Sequence, residues 1–214
     1  GDTDSGLFGG TNTVSLTAGG TTRLTADTGV SVTGTLAVTG SITSTGNVEI
    51  AQKLVHSGDT DTFLELLTDT ICFDTAGSER ARIDSSGRLL VGSSSSRGVA
   101  GGSARVQVEN TSTEQLALVR TSNDNGGTVL AIGKTRGGAI VQDDDTLGAV
   151  EFAGDDGADL NTVGARIQAQ VDGTPGSDDM PGRLVFGTTA DGASSPTTRL
   201  TITSAGLVNV PDNG

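Results

Sequence analysis

The sequence has no tryptophan and no tyrosine, and only five phenylalanines among its 214 residues. Aromatic side chains ordinarily carry a large share of core burial. A chain without them must bury many small aliphatic groups in a thin cross-section, or borrow apolar surface from other chains. Both routes lead away from a compact monomer. Cysteine is as scarce: Cys72 stands alone, which excludes a disulfide framework within the chain and a thiolate cluster for zinc. Basic residues are few, 13 Lys and Arg against 26 Asp and Glu, for a formal net charge of −13. That balance, with no basic stripe, excludes nucleic-acid binding, which needs clustered cations to displace counterions from phosphates. No apolar run approaches the roughly 18 residues of a membrane-spanning helix. There is no signal-peptide pattern, and a start at Gly1 and an end at Asn213-Gly214 lead us to expect a piece of something longer.

What is abundant is glycine, 33 residues, set among threonine and serine. Such a composition resembles disorder, but here the apolar residues alternate regularly, which disordered segments do not require. Only four prolines occur, and no apolar stripe of helical period runs longer than about two turns. The reading is a secreted-type, all-β protein with many turns.

Internal repetition organises the chain. Gly1-Asp2-Thr3-Asp4-Ser5 returns as Gly58-Asp59-Thr60-Asp61-Thr62, and the two stretches stay in register over units near 1–29 and 58–87. Thr13-Val14-Ser15-Leu16 leads to Arg23 in the first; Thr70-Ile71-Cys72-Phe73 leads to Arg80, Asp84 and Gly87 in the second. A looser third copy spans 181–210, from Leu184-Val185-Phe186 through Arg199 and Ile202 to Gly206 and Val208. Each copy reads as a strand, a glycine-containing turn, an Arg-bearing strand and a second glycine turn. Such a unit is too small to bury its own apolar face, so repetition implies stacking on neighbouring units or on other chains. Between the first two units, over 29–50, runs a hexad: Gly34, Gly40 and Gly46, with Leu36, Ile42 and Val48 following each, then Val38, Ser44 and Ile50. Short strands alternating with glycine turns at this spacing suit a β-helical or interwoven triple-stranded stalk.

Residues 105–173 carry longer alternations. Val106 and Val108, Leu116 and Leu118, and Leu130 and Ile132 each mark one face of an expected strand. Val163, Ala165, Ile167, Ala169 and Val171 alternate with the polar Arg166, Gln168 and Gln170. This predicts a small antiparallel β-domain, a knob or sandwich, after a flexible link at 92–102 with its serine run. The domain reading is a repeat-containing β stalk over 1–100 and an antiparallel β-domain over 101–214.

No catalytic, cofactor-binding or metal-binding set emerges. Gly133-Lys134-Thr135 resembles part of a phosphate loop, but Gly127 stands one residue too far ahead and no helical pattern follows. Asp143-Asp144-Asp145, the group Asp155, Asp156 and Asp159, and Asp178-Asp179 read as solvated turns, with bound Ca²⁺ as the alternative; Asp2-Thr3-Asp4-Ser5-Gly6 lacks the closing Glu of a calcium loop. Paired carboxylates also serve glycosidases, whose sugar grooves call for aromatic rings absent here. His56, the sole histidine, has no nucleophile spaced to partner it. Cys72 takes the place of Ser15 in the first repeat and reads as an interface-packing residue. Arg23, Arg80 and Arg199 occupy equivalent places, either pairing with an adjacent chain to hold register or standing exposed on their strands.

The runs Lys53–Thr62, Thr75–Gly92 and Val171–Phe186 resemble tail-fibre and tail-spike proteins of tailed bacteriophages, with marine and cyanobacterial phages nearest. The resemblance covers about residues 50–92 and 140–210. It implies an elongated homotrimeric fibre with hairpin and hexad repeats plus a small antiparallel β-domain. It further implies a virion location in the phage tail, extracellular, with other tail proteins and a bacterial surface receptor, a glycan, as partners. Many members end in a self-cleaving intramolecular chaperone, and no such sequence is present here. The functional expectation is a non-enzymatic structural and adhesive component for host attachment. The polar loops 155–162 and 175–180 are the expected receptor contacts. A bacterial trimeric adhesin or surface protein is the alternative, and a polysaccharide depolymerase spike the third.

Overall fold

The computed structural model describes residues 32–211 in full and residues 6–10, 13–18 and 21–22 as backbone strands. The described residues form an all-β protein of three sheets without a helix. The chain divides into two units, Gly1–Glu49 and Ile50–Gly214.

In the second unit, a six-stranded sheet runs in chain order through β4 (Lys53–His56), β5 (Asp59–Leu67), β6 (Thr70–Thr75), β7 (Ser78–Ile83), β8 (Leu89–Val91) and β9 (Val106–Val108), the first unit holding β1 (Gly6–Gly10), β2 (Thr13–Ala18) and β3 (Thr21–Thr22). Consecutive strands pair antiparallel except β8 with β9, whose parallel pairing requires the crossover 92–105. The β6–β7 turn shows why the sequence folds this way. Ala76 and Gly77 both take left-handed backbone angles, φ 51° and 68°, the tight turn whose twist matches that of the strands it joins.

Period-two alternation then sorts the faces. Leu54, Leu64, Phe73, Ala81, Val91 and Val108 are direct cross-strand partners in one row across all six strands; Leu66, Ile71, Ile83, Leu89 and Val106 form a second. The opposite face carries Lys53, Glu65, Cys72, Arg82, Leu90 and Gln107. Burial is inverted relative to polarity. Cys72 and Leu90, on the more polar face, are buried, whereas Phe73 in the apolar row is 46% exposed. The crossover explains the first half: Gln107 holds the Arg97 backbone through both amide atoms, at 3.2 and 2.9 Å, fastening the loop on Leu90's side. Among the described residues, Leu54, Phe73 and Val108 of the first row and Ile71, Ile83, Leu89 and Val106 of the second stay exposed.

In the first unit, the β1–β2 and β2–β3 pairings reproduce the second repeat. Leu7 faces Leu16 as Leu64 faces Phe73, and Ala18 faces Thr21 as Thr75 faces Ser78. Arg23 and the remainder of the 1–29 unit, including Asp2–Ser5, lie outside the described residues. Over 32–49 the backbone bends at 33–34, 39–40 and 45–46, at each hexad glycine. The short strands expected between those bends do not form, because an extended segment needs a ladder partner and this one has none among the described residues. Its apolar side chains, Leu36, Ile42 and Val48, are exposed.

The third sheet is a five-stranded antiparallel meander of β10 (Thr146–Ala153), β11 (Val163–Val171), β12 (Gly182–Thr188), β13 (Thr197–Ile202) and β14 (Val208–Asn209). It is a single layer and not a sandwich. Val150, Ile167, Phe186 and Leu200 form one apolar row; Ala169, Leu184, Ile202 and Val208 form another. This face is only partly covered: Val171 at its end is buried and Ile132 sits against Gly148, but Ile167 is 39% exposed. The third repeat copies the second in detail: Gly87 N–H donates to Asp84 O at 2.8 Å and Gly206 N–H to Thr203 O at 2.9 Å, with φ of 71° and 78°.

Two expectations differ from the structure. Residues 116–118 and 130–132 lie in no strand; they belong to an arm, 110–135, that makes no backbone–backbone hydrogen bond among the described residues. Alternation prescribed a strand, and no partner edge is present among the described residues. The segment 92–102 is tied down rather than loose: Ala100 N–H donates to Leu160 O at 2.9 Å, Gly101 N–H to Asn161 Oδ1 at 3.2 Å, and Arg97 pairs with Glu109 at 2.6 Å.

Candidate functional site

Strand alternation on the five-stranded sheet sends one set of side chains to the apolar face and the other to a polar groove of about 400 Å³ lined by Arg166, Gln168, Gln170, Arg183, Thr198 and Thr201. β11 supplies the first three at every second residue, β12 supplies Arg183, and β13 the threonines.

The groove is held by an ordered network. Gln168 is buried; its amide donates to Thr146 Oγ1 at 2.7 Å and its oxygen accepts from Arg166 at 3.1 Å. Arg166 also faces Glu151 at 4.0 Å. Arg183 donates Nε–H to Gln170 at 2.9 Å and Nη1–H to Asp172 at 3.0 Å, and its other nitrogen pairs with Asp144. These carboxylates push the Arg183 guanidinium further toward its charged form, Asp144 most. Asp172 is held below the usual carboxylate range, first by the Ser204 backbone N–H at 2.7 Å and then by Arg183. Chemically this is a rigid surface of amide, guanidinium and hydroxyl groups, suited to hydrogen-bonding a hydroxyl-rich ligand and without a ring for stacking. In sequence these residues read only as the polar side of a strand; the signal available was their spacing on β11.

The carboxylates of Asp155, Asp156 and Asp159 are spent on their own turn. Asp156 accepts from the Ala158 N–H and the Thr162 hydroxyl, Asp155 from Gly157, and Asp159 from Asn161. The 155–162 loop is thereby rigid and docked against 97–101. Asp178 sits at φ 54° in the turn closed by the Gly176–Asp179 bridge. Among the described residues no three His, Cys, Asp or Glu side chains are placed to share a metal ion.

Lys134 is drawn to carboxylate and not presented to an anion. Asp145, largely buried, accepts from Lys134 at 2.7 Å, from Arg136 at 2.6 and 2.9 Å, and from the Gln142 N–H at 2.9 Å. Arg136 foremost, then Lys134, hold its carboxyl far below the usual range. His56 is exposed on β4, 3.9 Å from Asp59. Burial, and then the charge of Glu79, push the Cys72 thiol upward. Arg80 and Arg199 occupy equivalent bulges and bond threonines of their own chain.

No protein-family model matches the chain, and no curated protein matches it. Solved structures do match, and two of them are phage tail-fibre domains. One is the carboxy-terminal domain of the bacteriophage T5 L-shaped tail fibre, at TM-score 0.52 and 13% identity, covering 79% of this chain and 76% of that one. The other is the same domain with its intra-molecular chaperone domain, at TM-score 0.51 and 14% identity, covering 74% of this chain and 48% of that one, so the likeness spans about half of the longer structure. At these identities the likeness is one of fold: this all-β chain is built like a phage tail-fibre domain.

Proposed function

We propose that this chain is a structural and adhesive segment of a bacteriophage tail fibre or spike, that it works as a homotrimer, and that it helps attach the virion to a bacterial surface. The observation that carries the reading is the exposure of apolar residues in cross-strand rows on both larger sheets. Leu54, Phe73 and Val108 on the six-stranded sheet, and Val150, Ile167, Leu184 and Val208 on the five-stranded one, stand exposed, while Cys72, Leu90 and Gln168 on the polar faces are buried. Apolar rows of this extent lose about 25 cal/mol per Å² of stabilisation while they face water, and identical copies are the cover always at hand. The T5 tail-fibre fold likeness supports the setting. With the apolar faces turned inward on other copies, the Arg166–Arg183 groove and the loops 155–162 and 175–180 face the medium. A bacterial surface glycan is the receptor chemistry they fit. The work is mechanical and adhesive rather than catalytic and uses no cofactor.

Sedimentation equilibrium of the chain is expected to return the mass of three copies. Fluorescently labelled protein is expected to decorate susceptible bacteria and block adsorption of the phage that carries it. A stable single subunit, or an intact trimer that never binds such cells, overturns the reading.

A further inference from the structure

The arm between the two larger sheets is built as a hairpin that does not close. Residues 113–121 and 128–135 each carry a four-residue apolar run, Leu116–Val119 and Val129–Ile132, on either side of Asn123-Asp124-Asn125-Gly126-Gly127, a turn sequence. The turn is pinned: Arg120 holds Asp124 through both terminal nitrogens at 2.6 Å and the Gly126 carbonyl at 2.7 Å, and Asp124 accepts the Gly126 N–H at 2.8 Å. The roots are pinned as well. Glu109 N–H donates to Val91 O at 2.9 Å at one end; at the other, Lys134 and Arg136 bind Asp145, and Ile132 sits where a Gly148 side chain would be, 2.3 Å from that virtual Cβ. Yet between the roots the limbs exchange no backbone hydrogen bond with each other or with anything else described. Leu116, Val119 and Val129 are 72%, 82% and 80% exposed.

We propose that the two limbs pair in trans: limb 113–121 or 128–135 of one copy forms a β-ladder with a limb of a neighbouring copy, a strand exchange that interlocks the assembly at this level. The inference rests on the homotrimer reading. A second copy is the occupant because the only complement this arm specifies is its own other half. A turn fixed at its tip and roots fixed at both ends leave the limbs apart in one chain but available to identical limbs. The site also adjoins the apolar faces of the sheets: β9 carries Val106 and Val108 of the apolar rows, the chain bends at 111–113 on its way into the first limb, and Ile132 of the second limb lies against Gly148 of the five-stranded sheet.

The test uses the full chain in a Cys72→Ser background. Two differently tagged copies, one Leu118→Cys and the other Leu130→Cys, are co-expressed and treated with a short bis-maleimide, while hydrogen exchange is followed in the unsubstituted protein. The expected results are a cross-linked species carrying both tags and slowing of the 113–121 and 128–135 amides by about 100-fold or more against free-peptide rates. A trimer in the centrifuge whose limbs exchange at free-peptide rates overturns the exchange and leaves the trimer reading standing. So does a trimer in which only a single-chain Leu118→Cys/Leu130→Cys variant links, within itself. A lone subunit overturns both.

Discussion

Arg80 and Arg199 each occupy the extra position of a β-bulge and each donate Nε–H to the threonine at the end of the preceding strand, Thr75 at 2.9 Å and Thr188 at 3.0 Å. In the second repeat Phe73 faces Ala81 and Asp74 faces Glu79, so Arg80 is left over; in the third Phe186 faces Leu200 and Gly187 faces Thr198, so Arg199 is. A bulge re-aims one side chain and increases local twist. Here it turns a guanidinium back onto the hairpin beside the apolar row.

Removing that contact tests the repeat's design. Arg80→Ala and Thr75→Val are each expected to lower the melting temperature by a few degrees, with a double-mutant coupling of about 0.5–1.5 kcal/mol, the net worth of one such hydrogen bond. Arg80→Lys is expected not to restore it, since an ammonium has no fixed Nε donor. If the remaining guanidinium nitrogens reach an adjacent chain, Arg80→Ala will also shift the trimer's dissociation in sedimentation. A trimer and melting temperature unchanged by Arg80→Ala remove the register role.

Two glycines separate backbone strain from close approach. At Gly92, φ is 80° and an added Cβ would lie 2.1 Å from the Glu109 carbonyl oxygen, which cannot move without breaking the β8–β9 ladder. At Gly87, φ is 71° but the nearest atom is the flexible end of Arg105, 3.8 Å away. Gly92→Ala is expected to cost about 3 kcal/mol or more and Gly87→Ala about 1 kcal/mol, read from urea midpoints. Equal costs would mean that crowding at Glu109 plays no part.

Asp145 sets an acid dependence. Its carboxyl is depressed in the folded state, so its contribution is complete above the unfolded carboxylate range near pH 4 and is lost as pH falls toward the folded value. Asp145→Asn is therefore expected to melt lower than the parent at pH 6–7, with the gap closing as the solution is acidified below about pH 4. A gap that stays constant down to pH 2 would sink the assignment.

The exposed apolar rows give opposite results in the two assembly states. In a lone chain Phe73 and Ile167 are 46% and 39% exposed, and a charge there would change stability by little more than about 0.5 kcal/mol. If copies cover them, Phe73→Asp and Ile167→Asp bury an unpaired carboxylate and abolish the trimer. Light scattering of the two variants decides between these outcomes.

Much of this fold can be read from local pattern. The alternation from Val163 to Val171 is an interior strand of the five-stranded sheet, and the repeats carry their turns and ladder registers from copy to copy. These are short-range properties, fixed by which side chains can share a pleated face and which residues tolerate φ above zero. The hexad glycines likewise set their bends at six-residue spacing with no ladder partner among the described residues.

The sequence by itself determined the β class, the repeat and the shortage of apolar bulk. Only the tertiary structure decided which strands find a partner inside one chain, since a ladder is a long-range pairing that alternation cannot assign. Leu116–Leu118 and Leu130–Ile132 have strand patterns no weaker than that of Val106–Val108, yet only the last meets an edge, because β8 happens to lie beside it. The same limit hid the polar groove. Arg166, Gln168 and Gln170 on one strand become a surface only when β12 and β13 bring Arg183 and Thr201 alongside, and sheet order is set by packing over the whole domain rather than by any local run of residues.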